Sequence, residues 1–258
     1  MSLIAWFTNC WEEDYRCVLR PEFLASKLLM YDEVFDKRFV TINNVSDLDN
    51  AKEMAEGCVR MGVIDEYFIV SDHQSEAFRE LGIPEHDVRR VQNFTNWISV
   101  AITKSTCEFL VHCAADITFT GNRKWVTQGI SLCYTDSNVV MVTPASNEHS
   151  ELERQQGKKY ADNVICHPGI TDTCFVLRRD FVHQKIYSDV RHDKSHFPLS
   201  HFGACWEERL DAYVRNNGLY RLILQDVRWI HWGKPGHSHP KLTLWDRLLR
   251  KLSKPNIW

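Results

Sequence analysis

The sequence predicts an α/β domain built on a doubly wound, mostly parallel sheet, with a helical extension at the C-terminus. Three observations lead there. Short apolar or β-branched runs alternate with segments of helical periodicity, the pattern of repeated strand–helix units. The early runs end in polar residues: Thr8-Asn9, Asn43-Asn44 and Ser71-Asp72. One very apolar run, Glu108-Phe-Leu-Val-His-Cys-Ala-Ala-Asp116, drives toward a single carboxylate. Parallel strands deliver their carboxyl ends to one edge, and in open α/β sheets ligands bind in the crevice outside that edge. Any strand entering a loop can end in polar residues, so one such end carries little. Successive polar ends closing on Asp116 describe a site.

The elements follow in order. Leu3–Thr8 is a central strand, and Tyr15–Met30 is helical, with Pro21 near a helix start. Arg38–Asn44 is β-branched and forms the second strand. Ser46-Asp-Leu-Asp49 caps a helix that runs to about Met61. Glu66–Asp72 is the third strand, and a short helix from Ser75 to Leu81 is stopped by Gly82 and Pro84. Asn93–Cys107 is a helix that leads into the Asp116 strand. A helix over Trp125–Tyr134 precedes a strand at Asn138–Thr143, and Pro144–His167 is polar and irregular, a loop or short helix over the site. Thr173–Arg178 is a strand, Cys205–Asn217 a helix closed by Gly218, and Arg221–Val227 a late strand. Pro and Gly punctuate His231–Pro240, and Trp245, Leu248, Leu249 and Leu252 share one helical face.

Composition narrows the function. The chain has 258 residues, 44% of them hydrophobic and 25% charged, as in a soluble globular domain. A formal net charge of −3 offers no basic field for a nucleic-acid backbone. The nine cysteines have no Cys-x-x-Cys spacing and read as reduced core residues. The N-terminus has neither a basic n-region nor a long apolar h-region, and no stretch reaches the roughly 18 apolar residues of a spanning helix. A cytoplasmic protein is expected. Aromatics are 12% of the chain, with nine Trp; such rings fill cores and interfaces and also stack on sugars.

Four constellations carry chemistry. The first is Ala114-Ala115-Asp116. The second is Gly169-Ile-Thr-Asp172 before an apolar strand and an Arg pair. The third is Cys205-Trp-Glu-Glu208 at a helix start, and the fourth is Trp229-Ile-His-Trp-Gly233 after the last strand. Each has a plain alternative. Asp116 can cap a loop, Asp172 can stabilise a turn, and a Glu pair in a first helical turn satisfies the helix dipole. A lone His is most often held by ordinary hydrogen bonds. Together with the Thr8-Asn-Cys10 opening, the Lys37–Val45 strand and Gly62-Val-Ile-Asp65, the pattern resembles the GT-A glycosyltransferases, of the family 2 kind, from about Leu3 to Gly233.

The resemblance implies a single GT-A-like domain over 1–240, with a nucleotide-sugar half at 1–120 and an acceptor half at 121–240. Residues 241–258 form an amphipathic helix. It implies that Asp116 holds a divalent cation, Mn²⁺ or Mg²⁺, with His231 as a second ligand. Those enzymes usually carry Asp-x-Asp where this chain has Ala114-Ala115-Asp116. It implies Glu207 as general base and Asp172 at the acceptor or donor sugar. Thr8, Asn9, Asn44, Asp72, Trp97 and Asp116 fall on the donor side, for a UDP- or GDP-linked sugar. The expected activity moves a sugar to a glycan or glycolipid acceptor in polysaccharide biosynthesis, with inversion, since no second nucleophile motif is visible. Two alternatives stay open. One is a GT-A fold that binds or scaffolds without catalysis, which the Ala114 departure supports. The other is a nucleotidyltransferase, which calls for a Gly-rich basic loop after the first strand; Thr8–Arg16 has no Gly and is acidic. The basic face at 242–254 suits peripheral contact with the inner membrane face. A helix packed on its own domain or on a second subunit is the commoner use of such a stripe.

Overall fold

A computed structural model describes residues 3–147, 150–188 and 203–231. The elements are β1 (Ile4–Cys10), α1 (Tyr15–Val18), α2 (Pro21–Leu28), β2 (Lys37–Ile42), α3 (Leu48–Arg60), β3 (Glu66–Ile69) and α4 (Val70–Leu81). Next come α5 (Glu85–Val88), a 3₁₀ turn (Arg89–Phe94), α6 (Asn96–Lys104), β4 (Phe109–Cys113), β5 (Ile117–Gly121), α7 (Trp125–Thr135) and β6 (Val139–Ser146). Then follow α8 (Ser150–Gln156), β7 (Lys158–Ala161), β8 (Val164–His167), β9 (Cys174–Arg178), α9 (Arg179–Val182), α10 (Trp206–Asn216) and β10 (Tyr220–His231).

The strands form one sheet in the order β3-β2-β1-β4-β9-β6-β10-β8-β7, with β5 added to β10. The N-terminal half is parallel throughout: β1 pairs β2 and β4, and β2 pairs β3. Its carboxyl ends therefore share one edge. β9 lies antiparallel between β4 and β6, so its beginning, next to Asp172, returns to that same edge. β10 is parallel to β6 and antiparallel to β5 and β8. Buried side chains cover both faces. One face carries Trp6, Val40, Val111, Val142 and Leu222 under α1, α2, α3 and α7. The other carries Phe7, Phe39, Leu110, Phe175 and Leu177 under α4, α6 and α10. This is the doubly wound α/β arrangement expected.

Local departures have local causes. Tyr15–Met30 divides at Leu19–Arg20, because Pro21 starts α2 and has no N–H to continue the preceding turn. Asp47 rather than Ser46 caps α3, accepting from the Asn50 N–H at 3.4 Å. Ser46 instead gives its N–H and hydroxyl to Glu12, at 2.6 and 2.8 Å. β3 stops at Ile69. From Val70 the buried positions Val70, Ala77, Phe78 and Leu81 follow a helical period, so Ser71 and Asp72 fall in the first turn of α4. Within Pro144–His167 the described residues form the end of β6, the short helix α8, and a hairpin that turns at Asp162-Asn163, with Asn163 at φ 59°. The expected helix at 241–258, including its basic face at 242–254, lies outside the described residues, as do Trp232, Gly233, Lys234 and His237.

Candidate active site

The site starts at the turn after β4. The Ala114 N–H donates to the Thr173 carbonyl at 3.0 Å, and the Ile117 N–H closes the turn on the Ala114 carbonyl at 3.1 Å. Asp116 stands exposed at the tip of that turn. Two side chains hold it from behind. The Thr8 hydroxyl donates to the Cys113 carbonyl at 2.8 Å. The Lys27 ammonium, buried on α2, donates to the Ile117 carbonyl. Burial pulls the Lys27 pKa down, while Cys113 and Asp116 pull it back up. A buried ammonium costs several kcal/mol unless it is paired and hydrogen-bonded, so Lys27 needs the Asp116 turn as much as the turn needs Lys27.

His231 arrives from the other side. β5 and β10 pair antiparallel with His231 opposite Ile117, one residue from Asp116. The Trp229 ring meets the His231 ring edge-on at 4.9 Å between centroids. Gly121 makes the close approach possible. Its φ is +102°, and a Cβ there would lie 2.2 Å from the Asp226 carbonyl oxygen.

Asp172 and Glu207 complete the group. Glu207 lies within electrostatic reach of Asp172. Burial pushes the Glu207 pKa well above the ordinary carboxylate range; Asp172 and Asp211 add to the rise and Arg221 opposes it. Asp172 is raised by burial too, with the Thr173 hydroxyl and His231 opposing and Asp116 reinforcing. Asp172 therefore stands between Asp116 and His231 on one side and Glu207 on the other. The start of α10 is fixed tightly. The Trp206 N–H donates to the Thr95 hydroxyl at 3.0 Å, and its indole N–H to the Tyr187 hydroxyl at 3.3 Å. Buried Arg209 donates to the carbonyls of Ala204 and Tyr187 at 3.1 and 2.7 Å. Glu208, the second carboxylate of the pair, is 1% exposed and points into the protein, away from the half-buried Glu207. Behind Glu207, Asp211 accepts from the Ile170 N–H at 3.4 Å and pairs with Arg215 at 2.8 Å. Arg221 faces Glu153 at 3.8 Å.

The donor-side residues are more dispersed. Asn9 is half-buried near the end of β1, beside β4. Asn44 is exposed just beyond β2, at φ 53°; its neighbour Asn43 is the one that bonds, to the Asn93 carbonyl at 3.0 Å. Asp72 follows β3, three strand spacings from β4, or about 14 Å at ~4.8 Å per spacing. The structure does not bring it to Asp116. Trp97 is 5% exposed and packs in the core on Phe7 and His112. His112 is buried there as well, its pKa lowered to about 3 chiefly by burial, and it does not reach the turn. The Arg178-Arg179 pair lies at the far end of β9, where Arg178 pairs with Asp180 at 3.2 Å and Arg179 donates to the Ile102 carbonyl at 2.9 Å. Lys27, Asp14, Asp211 and Arg221 are site residues that sequence reasoning passed over. A Lys at a buried helical position three residues after Leu24 was a usable signal for Lys27; the other three had none.

No family model matches the chain, and no curated protein does. Solved structures do. GalNAc-T7, crystallised with UDP, GalNAc and Mn²⁺, aligns over 90% of this chain at 9% identity, with a TM-score of 0.51. The fold is that of the GT-A glycosyltransferases. This chain covers 44% of the length of GalNAc-T7. A mycobacterial protein aligns over 91% of this chain and 69% of its own, at 10% identity and a TM-score of 0.46. Glucosyl-3-phosphoglycerate synthase from Mycobacterium tuberculosis, crystallised with Mg²⁺ and UDP, aligns over 91% of this chain and 73% of its own, at 10% identity and a TM-score of 0.45. The turn Ala114-Ala115-Asp116 carries one carboxylate.

Among the described residues, no group of three or more His, Cys, Asp or Glu could hold a metal by itself. Asp116, in the turn before β5, and His231, on the paired strand β10, are two candidate donors. Two donors fit a hard divalent cation that is also bound by substrate phosphates and water, the usual habit of Mg²⁺. They do not make a closed protein cage. No helix among the described residues is long and apolar enough to cross a membrane.

Proposed function

We propose that this protein is a glycosyltransferase that moves a sugar from a nucleotide-diphosphate donor, UDP- or GDP-linked, to a saccharide or glycolipid acceptor with inversion. The reading is carried by one observation: Asp172 lies within electrostatic reach of Asp116, His231 and Glu207, and burial raises the Glu207 pKa above the ordinary carboxylate range. A general base works best with a pKa near the operating pH, and the rise at Glu207 is in that direction. Glu207 takes the proton of an acceptor hydroxyl as that oxygen bonds to the anomeric carbon. The bond from that carbon to the β-phosphate oxygen breaks, and the nucleoside diphosphate leaves. Asp172 orients a sugar hydroxyl beside Glu207. Asp116 and His231 would hold Mn²⁺ or Mg²⁺, which when bound neutralises charge on the departing diphosphate. The GalNAc-T7 complex with UDP and Mn²⁺ supports this choice of donor and ion.

The alternative of a silent GT-A-fold binding protein is favoured by Ala114 alone. One experiment separates the two. UDP- and GDP-sugars are screened for protection against thermal unfolding, then for hydrolysis or transfer, with Mn²⁺, Mg²⁺ or chelator. A donor that binds only the folded state raises its melting temperature. The proposal expects cation-dependent protection that Asp116→Ala weakens, together with turnover. Protection without turnover for any donor or acceptor supports the binding protein. Equal protection in cation and in chelator removes the metal role.

A further inference from the structure

A cleft among the described residues lies away from Asp116. It has a volume of about 400 Å³ and lies between α8, the β7–β8 hairpin and β10. That is within the usual ~300–1,000 Å³ of small-molecule sites. Its lining includes Arg154, Lys158, Lys159 and Arg228 and no carboxylate. On a chain whose net charge is −3, this is a local reversal of sign. Lys159 is partly committed, to Asp162 at 2.8 Å. Lys158 and Arg228 make no ion pair among the described residues. The Gln225 side-chain Nε2, at the floor of the cleft, is buried without a hydrogen-bond partner.

The position of the cleft points to what it holds. Ile165 in its wall and His167 are two apart on β8 and face the same side of the sheet. That side carries Arg221, which faces His167 and Glu153 and opposes the rise at Glu207. α8 contributes Arg154 to the cleft and Glu153 to Arg221. The cleft thus borders the half of the molecule that carries the proposed base. We propose that it is an anion subsite that takes the phosphate or carboxylate of an acidic saccharide acceptor. This deepens the transferase reading and rests on it.

The test titrates the full chain, at low salt, with glucose 6-phosphate, glucuronate, glucose and inorganic phosphate, with UDP binding measured separately. Wild type should bind the acidic sugars saturably and glucose at least about tenfold more weakly. Arg228→Gln and Lys158→Gln should each weaken acidic-sugar binding by about tenfold, the scale of one hydrogen bond to a charged group, and leave UDP affinity unchanged. No saturable binding of any acidic sugar, or binding unaltered in both variants, overturns the proposal. Inorganic phosphate binding as tightly as the sugar phosphate overturns the acceptor assignment, since the sugar would then contribute nothing. Acidic-sugar binding in a protein that binds neither UDP nor GDP overturns it as well, because no donor would be presented; that outcome marks failure of the transferase reading. Loss of UDP binding in a variant marks misfolding, and the other variant then decides.

Discussion

At the residue scale, charge inside the site is set by burial more than by pairing. Asp14 shows it. Its carboxylate accepts from the Trp11 N–H at 2.8 Å, yet burial, with Asp116 close by, lifts its pKa to about 6. The ordinary value of an unfolded Asp is near 3.9. A group whose folded pKa is raised binds more protons in the folded state. Its contribution is therefore most favourable below about pH 4 and is lost as the pH climbs through about 6. Asp14→Asn keeps the acceptor and removes the charge. With chelator present, the variant should melt higher than wild type at pH 7.5, and the gap should narrow at pH 4.5 and close below about pH 4. A gap of the same size at both pH values would show that the charge of Asp14 is not what costs stability. The same burial logic sorts the Glu207-Glu208 pair. The sequence places two carboxylates in one helical turn, about 100° apart. Which one faces the site depends on how Thr95 and Tyr187 hold α10, and those residues are remote from the pair in sequence.

At the element scale, the site depends on two crossings that bring distant segments together. β9 runs backward between two parallel strands and delivers Asp172. β5 folds back on β10 and delivers His231. Gly121 is where the second crossing is tightest. Gly121→Ala adds a Cβ against a carbonyl oxygen at 2.2 Å in a backbone region that L residues avoid. Destabilisation of about 1–3 kcal/mol is expected, with loss of cation-dependent donor binding as β5 moves away from β10. Gly62 is the control. Its φ is +69° with open space around the missing Cβ. Gly62→Ala should cost about 1–2 kcal/mol and leave donor binding intact. Denaturant unfolding and donor titration of both variants check this, and equal donor binding in both would detach β5–β10 from the site. Neither crossing was legible in the sequence. A strand of period two reads the same whichever way it runs, and its partner is decided by contacts far along the chain. What was legible was local: strands β1, β2, β4 and β9 from their apolar runs, and α10 from its spacing and its Gly218 stop. The β7–β8 hairpin was missed because its strands are short, β7 is mostly exposed, and its turn is Asp162-Asn163 without a Gly.

At the scale of the whole molecule, a parallel half-sheet and a mixed half-sheet share one edge, and the proposed chemistry sits where they meet. The first half was readable because parallel strands flanked by helices leave a regular alternation. The site residues were readable where they end strands or start helices, as with Asp116, Asp172, Glu207 and His231. They were not readable where tertiary packing alone brings them in, as with Asp14, Lys27, Asp211 and Arg221. Trp97, an aromatic near the expected donor loop, was drawn into the core because its neighbours Phe7 and His112 leave it no other place. The central claim is that this shared edge performs transfer with Glu207 as base. Its most direct test compares Glu207→Gln, Glu208→Gln and wild type for donor affinity and for sugar transfer. The account predicts unchanged donor affinity in Glu207→Gln with transfer lowered about 10²- to 10⁴-fold, the usual share of a general base, and a far smaller loss in Glu208→Gln. Near-normal transfer in Glu207→Gln would contradict it.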